Sequence, residues 1–259
     1  MNIGIIGTGN IASYLLEQIN QYQKADGRVI AIFGRNEEMG QQLSERFEAD
    51  FYTDLQGFLN LPLDIVVEAA TVEAAGIYVK DVVEHQKDLV VGSIGVFKDM
   101  PFLEELKSLA EAKGTNIYLP SGAIGGLDVL QSAKAAGGLE RVQITTRKSP
   151  VSLGVEAEEE RVIFEGSAFE AVERFPKNIN VALVLAIAGI GVDKTRVRII
   201  VDPDIERNTH TIEAEGTFGR MELRVENNPM PSNPKTSLLA ALSILSVLQN
   251  RGNALRIGN

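Results

Sequence analysis

Two glycines near the start of the chain have the spacing of a turn that binds phosphate groups. Gly7 and Gly9 lie in the segment Gly7-Thr8-Gly9-Asn10-Ile11-Ala12, between the short apolar run Asn2–Ile6 and a helix-like segment. The first glycine permits a tight turn, the second lets the backbone approach a pyrophosphate, and the small Ala12 permits close packing of helix on strand. Free N–H groups at the helix start would face the phosphates. The predicted dinucleotide contacts are Gly7, Gly9, Asn10 and Ile11.

Cysteine and histidine, two residue types that often transfer protons or bind metals, are scarce in this chain. The chain has no cysteine and two histidines, His85 and His210. Disulfides, thiolate catalysis and Cys-bound zinc are therefore excluded, and we expect no metal site. An imidazole suits proton transfer near neutral pH because its ordinary pKa is about 6.5. We interpret His85 as a surface residue at a polar helix end. A histidine on a strand is often structural, so a catalytic role for His210 depends on the resemblance given below.

The elements around the glycine turn alternate between strand and helix, which strengthens the prediction, since a glycine turn alone also occurs for structural reasons. Five apolar runs have the length of buried strands, and helix-like segments separate them. They are Asn2–Ile6, Val29–Phe33, Asp64–Val67, Leu89–Val91 and Asn116–Leu119. This alternation predicts an α/β fold with a doubly wound parallel sheet, that is, a Rossmann domain over residues 1–120.

The end of the second strand bears on the choice of cofactor. An acidic residue there would bind the ribose 2′-hydroxyl of NAD, whereas this chain has Phe33-Gly34-Arg35-Asn36. Arg35 is placed to pair with the 2′-phosphate of NADP, so NADP acceptance is favoured, and NAD is the alternative. The small residues after the run Asp64–Val67, among them Ala70, are candidate cofactor contacts or simply permit a close turn.

The second half of the chain has a different pattern and predicts a substrate domain over residues 121–234. A glycine-rich segment, Ser121–Asp128, begins a helix, and helix-like residues follow Phe175-Pro176-Lys177-Asn178. The strand-like runs indicate helices with a mostly antiparallel sheet. These runs are Arg141–Lys148, Arg196–Val201, Thr209–Glu215 and Met221–Val225. The proline-rich stretch 228–234 cannot continue a strand. We expect the final segment, 235–259, to form a helix with Leu238, Leu242, Leu245 and Leu248 on its apolar face and to complete the Rossmann domain.

Charge and hydropathy exclude two classes of partner. The formal net charge of -10 argues against nucleic acid, which binds to clustered basic residues. No apolar run approaches the roughly 20 residues that span a bilayer, so we expect no membrane association. Met1 leads directly into a strand-like run, which leaves no room for a signal peptide and predicts a cytoplasmic protein.

Taken together, these motifs resemble the L-aspartate dehydrogenase family nearly from end to end. The resemblance implies a Rossmann domain with an α/β catalytic domain, usually in a homodimer. It also implies NAD(P)-dependent oxidation of L-aspartate to iminoaspartate, which water converts to oxaloacetate and ammonia, or the reverse reaction, with a link to pyridine nucleotide synthesis. The motifs are Gly4–Gly9, Leu119–Gly126, Thr146–Lys148, Phe175–Ala182, Asp202-Pro203, Asn208–His210 and Asn233–Ser237.

The resemblance also assigns roles to individual residues. The family's catalytic histidine corresponds to His210, and its nicotinamide-side contacts correspond to Ala123 and Asn180. Many relatives have an acidic residue at the position of Gly34, which is the main departure. The dicarboxylate substrate needs a cation or free N–H groups. Candidates are the Gly125-Gly126 helix start and the side chains of Lys148, Lys177 and Lys235.

Three other functions compete with this interpretation. A sugar-type oxidoreductase would have Glu-Lys-Pro after the strand that corresponds to Leu89–Val91, whereas this chain has Ser93-Ile94-Gly95-Val96-Phe97-Lys98. A non-catalytic dinucleotide-binding sensor would keep the glycine turn without the chemistry, and the retained His210 argues against it. A related dehydrogenase for another small amino or oxo acid would share all of these features.

Overall fold

The computed structural model describes residues 1–175, 180–231 and 233–255, except for the side chains of Pro234 and Lys235. The chain divides into two compact units. The first contains Met1–Pro120 and the last helix from Ala241 onward, and the second contains Ser121–Ala240. In the described residues, no helix has both the length and the apolar character needed to cross a bilayer.

The first unit is built on a six-stranded parallel sheet in the order β3-β2-β1-β4-β5-β6. Strands β4 and β5 are buried throughout, as is typical of a parallel sheet covered on both faces. This strand order is that of a doubly wound dinucleotide-binding sheet, and it confirms the predicted fold class. The strands are β1 (Asn2–Ile6), β2 (Arg28–Phe33), β3 (Asp50–Tyr52), β4 (Ile65–Glu68), β5 (Asp88–Val91) and β6 (Ile117–Tyr118).

Helices alternate with these strands, and all of them except α1 start at a capping side chain. Asn36, Asp54, Thr71 and Asp99 each accept a hydrogen bond from a backbone N–H in the first turn of the helix that follows. Helix α1 continues directly into a π-helical turn, Glu17–Gln21, and a 3-10 turn spans Ile94–Lys98. The helices are α1 (Asn10–Leu16), α2 (Glu37–Phe47), α3 (Leu55–Leu59), α4 (Val72–Glu84) and α5 (Met100–Lys113).

The second unit has a five-stranded mixed sheet in the order β11-β10-β7-β9-β8. Strands β7 and β9 are parallel, and the other three neighbouring pairs are antiparallel. The strands are β7 (Leu139–Lys148), β8 (Arg161–Ser167), β9 (Arg196–Val201), β10 (Asn208–Gly216) and β11 (Gly219–Asn227). The helices are α6 (Leu127–Ala135), α7 (Pro150–Leu153), α8 (Ala168–Arg174) and α9 (Asn180–Ala188).

The proline-rich stretch contributes to two short strands, although its sequence predicted none. It forms a small antiparallel ribbon of β12 (Pro229–Met230) and β13 (Asn233–Ser237). A two-stranded ribbon consists of edge strands only, where a proline removes no essential ladder hydrogen bond. The two strands therefore tolerate proline.

The last helix, α10 (Leu238–Gly252), packs on the parallel sheet of the first unit. Ile244, Leu245 and Leu248 belong to the same buried cluster as Ile3 and Ile5 of β1. The predicted apolar face was wrong at Leu242, which is 37% exposed. Ala241 and Ile244 are buried instead, so the contact face is rotated toward them. An ion pair between Arg251 and Asp88 of 2.6 Å also links α10 to the start of β5.

Candidate active site

The backbone of the glycine turn requires glycine at Gly7. This residue follows β1, has a φ of +124°, and donates its N–H to the carbonyl of Phe33 at 2.8 Å. A Cβ at this position would lie 2.5 Å from the carbonyl oxygen of Ala69. Both the positive φ and the close approach of the next turn disfavour any side chain. The residue thus shapes the end of β1 as its sequence position predicted.

Gly9 leaves open space at the start of α1. An added Cβ there would meet no atom within 4 Å, and the glycine has no side chain to cap the helix. The first turn of α1 contains no acidic residue. The N–H groups of Asn10 and Ile11 are therefore suited to an anion, as expected at an uncapped helix start. These features fit the pyrophosphate of a dinucleotide.

A cleft of about 270 Å³ lies beside this turn, at the carboxyl ends of β1, β2 and β4. It brings together four predicted cofactor contacts, Gly7, Gly9, Arg35 and Ala70. Asn10 and Ile11 begin α1 next to it but do not line it. The other lining residues are Ile6, Thr8, Phe33, Gly34, Asn36, Ala69, Thr71, Ala74 and Tyr78.

The cleft has the charge expected of a site that tolerates an extra phosphate. None of its lining residues is acidic, and Arg35 is exposed at its edge. A Cβ at Gly34 would lie 2.8 Å from the methyl group of Thr8. Any side chain at position 34 would therefore require the side chain of Thr8 to move.

Sequence analysis did not identify Glu68 as a buried, hydrogen-bonded residue of this region. It ends β4, is fully buried, and accepts hydrogen bonds from Ala70 and Ser93. An acidic residue that ends a run of apolar strand residues was an available signal, since buried carboxylates are rare unless they are paired. The predicted Ala70 contact thus stands next to a buried acid.

In the second unit, His210 lies on β10 with its imidazole held by a threonine on the neighbouring strand. His210 is directly opposite Thr146 in the antiparallel register of β10 and β7. The imidazole Nδ1 is 3.0 Å from Thr146 Oγ1, and both residues are buried. The χ1 angle of a β-branched threonine is restricted, so this contact limits the orientations open to the imidazole ring.

Burial and a nearby ammonium group keep the imidazole neutral. Burial, followed by the positive charge of Lys148, lowers the pKa of His210 from 6.5 to about 3. Burial lowers the pKa of Lys148 itself from 10.5 to about 8. Near neutral pH, His210 is therefore uncharged, whereas Lys148 still carries its proton. A neutral imidazole has a lone pair with which to accept a proton.

These side chains belong to a polar end of an otherwise apolar sheet face, which we call the polar end. Further along the same strands, Val142 and Ile144 of β7 and Ile212 and Ala214 of β10 are buried. The polar end continues onto β11, where Asn227 is paired with Asn208. Its buried members are Thr146, Lys148, Asn208, His210 and Asn227. Sequence analysis singled out two of these five, His210 and Lys148.

Asn227 connects the polar end to a predicted cofactor contact. Its Nδ2 donates to the carbonyl of Ala123 at 3.0 Å, and both residues are buried. This bond fixes the orientation of the amide, because a carbonyl requires a donor. The Oδ1 of Asn227 has no hydrogen-bond partner among the described residues, although it is buried. Asn180, the other predicted nicotinamide contact, is the first residue of α9 and is half-buried.

The remaining candidates divide into those that the structure disfavours and those that it does not describe. At the Gly125-Gly126 helix start, an added Cβ on either glycine would lie 3.3 Å from Leu223, and Asp128 places a carboxylate in the first turn. This apolar, acidic surrounding disfavours carboxylate binding. Lys177 and the side chain of Lys235 lie outside the described residues.

Within the part of the chain that the structure describes, His85 and the acidic side chains form no metal-binding group. His85 is half-buried at the end of α4, where its Nδ1 contacts the carbonyl of Asp81 at 2.8 Å. Within the described ranges, no three His, Cys, Asp or Glu side chains are grouped to hold a metal ion. His210 is therefore the histidine that the fold places among other buried polar groups.

Family models match both halves of the chain. Residues 7–120 match the model "Homoserine dehydrogenase, NAD binding domain". Residues 128–251 match the model "Aspartate dehydrogenase, C-terminal". The first match covers the glycine turn and the cleft, and the second covers the polar end with His210.

Alignments with similar proteins cover nearly the whole chain. The L-aspartate dehydrogenase of Methanospirillum hungatei is 38% identical, over 100% of both chains. That of Archaeoglobus fulgidus is 39% identical over 96% of this chain and 97% of its own. The crystal structure of aspartate dehydrogenase from Thermotoga maritima superposes with a TM-score of 0.81 and 31% identity, covering 100% of this chain and 99% of its own. The resemblance drawn from the motifs is thereby confirmed, and the chain belongs to the L-aspartate dehydrogenase family.

Proposed function

We propose that this chain is an NAD(P)-dependent L-aspartate dehydrogenase. It oxidises L-aspartate to iminoaspartate, which water converts to oxaloacetate and ammonia, or it catalyses the reverse reaction. The names of the full-length relatives support this activity. The observation that carries the proposal is the neutral, buried imidazole of His210, oriented by Thr146, in a chain that also has a dinucleotide cleft.

Residues of the cleft and of the first turn of α1 would bind the cofactor together. Gly7 and Gly9 shape the turn, and the N–H groups of Asn10 and Ile11 bind the pyrophosphate. Arg35 pairs with a 2′-phosphate, so that NADP is accepted as well as NAD. We assign Ala70 to the cofactor as well, and Ala123 and Asn180 to its nicotinamide side. When bound there, the nicotinamide would supply the acceptor for the hydride that leaves the substrate carbon.

His210 is the proposed proton acceptor. When its Nδ1–H donates to Thr146 Oγ1, the lone pair of Nε2 is available for a proton from the substrate amine or from the attacking water. The low pKa of His210 describes the site without substrate. Two substrate carboxylates would raise that pKa, because nearby negative charges favour the imidazolium form. The positive charge of Lys148 suits one of these carboxylates.

The decisive experiment is a reductive amination assay. The purified protein is mixed with oxaloacetate, ammonia and NADH or NADPH, and the absorbance of the reduced cofactor is followed. We expect it to fall, and to fall more slowly with other small oxo acids. Cofactor binding without turnover of any oxo acid would instead indicate a dinucleotide sensor. Faster turnover of another oxo acid would indicate a related dehydrogenase.

The role of His210 is tested by the His210→Ala variant. We expect this variant to lose turnover and to retain cofactor affinity, because the side chain transfers a proton and does not bind phosphate. Cofactor affinity is measured by fluorescence titration with the reduced cofactor. An equal loss of turnover and of affinity would contradict the assigned role.

The role of Arg35 in cofactor choice is tested by the Arg35→Ala variant. We expect NADPH affinity to fall more than NADH affinity, because only NADPH carries the 2′-phosphate. Arg28 provides a matched control, since it is an exposed arginine at the other end of β2 and forms an ion pair with Glu48. Arg28→Ala should leave the ratio of the two affinities unchanged. An unchanged ratio in Arg35→Ala would remove Arg35 from the site.

We also propose that the protein is a homodimer, on the basis of its resemblance to the family, and that it is located in the cytoplasm. Light scattering at several concentrations measures the molar mass in solution, and fractionation of the source cells measures the location. A monomeric mass at all concentrations would exclude the dimer.

A further inference from the structure

Glu68 links two turns at the edge of the parallel sheet. Its Oε1 accepts hydrogen bonds from the N–H of Ala70 at 2.9 Å and from Ser93 Oγ at 2.9 Å. Its Oε2 accepts the N–H of Ser93 at 2.8 Å. The carboxylate therefore joins the turn that follows β4 to the turn that follows β5. Burial raises the pKa of Glu68, and the hydrogen bonds from Ala70 and Ser93 oppose this shift.

The turn after β4 also packs against the glycine turn. The position that a Cβ of Gly7 would take is 2.5 Å from the carbonyl oxygen of Ala69 and 3.1 Å from the nitrogen of Ala70. The Ala70 nitrogen is the atom that donates to Glu68. One peptide group, between Ala69 and Ala70, is thus held by Glu68 on one side and contacts the backbone of Gly7 on the other.

We propose that Glu68 is a positioning residue for the dinucleotide. It holds the Ala69–Ala70 peptide in place, and this peptide determines the shape of the cleft and the position of the Gly7 backbone. Ala69, Ala70 and Thr71 all line the cleft, so a displaced peptide would change the space available to the cofactor. This inference rests on the proposed cofactor site and adds to it a residue that does not line the cleft.

The chemistry of the three donors explains why a carboxylate occupies this position. A carboxylate offers two acceptor oxygens, whereas a glutamine amide offers one oxygen and one NH₂ group. In Glu68→Gln, the NH₂ group would face the N–H of either Ala70 or Ser93, and that backbone donor would lose its acceptor. Glu68→Gln therefore disturbs this contact while it preserves the size of the side chain.

The test measures cofactor affinity by fluorescence titration with NADH and NADPH, together with steady-state kinetics. For Glu68→Gln we expect the dissociation constant of both cofactors to rise about tenfold, the change that corresponds to one lost hydrogen bond of about 1.4 kcal/mol. The KM for the cofactor should rise similarly, whereas kcat at saturating cofactor and the KM for aspartate should change little. Ser93→Ala keeps the backbone donor and should have a smaller effect.

Asp88 supplies the matched control. It is a buried carboxylate at the opposite end of β5, where it accepts from the N–H of Asn116 at 2.8 Å and pairs with Arg251. Asp88→Asn should lower the melting temperature through the same sheet and leave the cofactor dissociation constants unchanged. An equal loss of affinity in Asp88→Asn would show that Glu68 acts only through general stability.

The remaining outcomes separate this inference from the proposed function. Unchanged dissociation constants in a folded Glu68→Gln variant would overturn the inference. If Glu68→Gln does not fold, Glu68→Asp replaces it: the charge is retained with a shorter reach, we expect weaker binding, and unchanged affinity would overturn the inference. Failure of the wild-type protein to bind either cofactor would instead reject the proposed cofactor site.

Discussion

Replacing Thr146 by valine removes the hydrogen bond to His210 and keeps the shape of the side chain. The bond joins Thr146 Oγ1 to His210 Nδ1 at 3.0 Å, and it connects two buried residues on neighbouring strands. In Thr146→Val a methyl group takes the place of the hydroxyl group. In the tautomer that leaves the Nε2 lone pair free, the Nδ1–H of His210 then has no acceptor at that position, so this tautomer is disfavoured in the variant.

The magnitude follows from the burial of both groups. A buried donor without its partner costs about 1–3 kcal/mol, which corresponds to roughly 5- to 150-fold in an equilibrium. Because the hydrogen bond orients the proton acceptor, we expect this loss mainly in kcat, with a small change in the cofactor dissociation constant. Thr146→Ser retains the hydroxyl group and should recover most of the lost kcat.

The assay compares kcat, KM and the pH dependence of the rate in wild type, Thr146→Val and a control. Thr145→Val is the matched control, since Thr145 is the adjacent residue of β7, points to the other face of the sheet and pairs with Thr211. Thr145→Val should leave kcat unchanged. If Thr146→Val keeps the wild-type kcat and pH dependence, the hydrogen bond does not prepare His210 for proton transfer and the reasoning is refuted.

Two further predictions concern charge. NMR titration of the two imidazoles should show that His210 stays neutral down to a pH well below its ordinary pKa of 6.5. In Lys148→Met, the pKa of His210 should rise because the nearby positive charge is gone. An unchanged pKa would show that Lys148 does not act on His210. The pKa of His210 falls from 6.5 to about 3 on folding. Between these pH values the unfolded chain binds a proton that the folded chain does not. This group therefore lowers the stability of the protein as the pH falls from about 6.5 to about 3. His210→Gln should therefore have a melting temperature that declines less steeply over that range, and a decline equal to that of wild type would contradict the low pKa.

Local sequence predicted the first unit well because its site depends on short-range geometry. The positions of Gly7 and Gly9 are determined by one strand, one turn and one helix that are contiguous in the chain. Glu68 was missed because its partner Ser93 lies on a different turn, and only the pairing of β4 with β5 brings them together. Strand β3 was missed because three residues are too few to show a pattern.

The second unit was less predictable because its contacts connect distant parts of the chain. His210 was identified through a motif, whereas its partner Thr146 is 64 residues away and becomes a neighbour only through the register of β10 and β7. The Gly125-Gly126 segment looked suited to an anion from its residue types. Its packing against Leu223 of β11 is a tertiary contact that the local pattern does not contain.

The charges at the polar end indicate how the proposed substrate would raise the pKa of His210, its proposed proton acceptor. Without substrate, burial and the charge of Lys148 both disfavour a second positive charge on His210. A dicarboxylate brings two negative charges, of which one balances Lys148 and the other favours the imidazolium form of His210. The basicity of His210 is then highest when a substrate with two carboxylates is bound. A substrate with a single carboxylate would balance Lys148 alone and leave His210 a weak base, so under the proposed function we expect dicarboxylates to turn over faster than monocarboxylates of similar size.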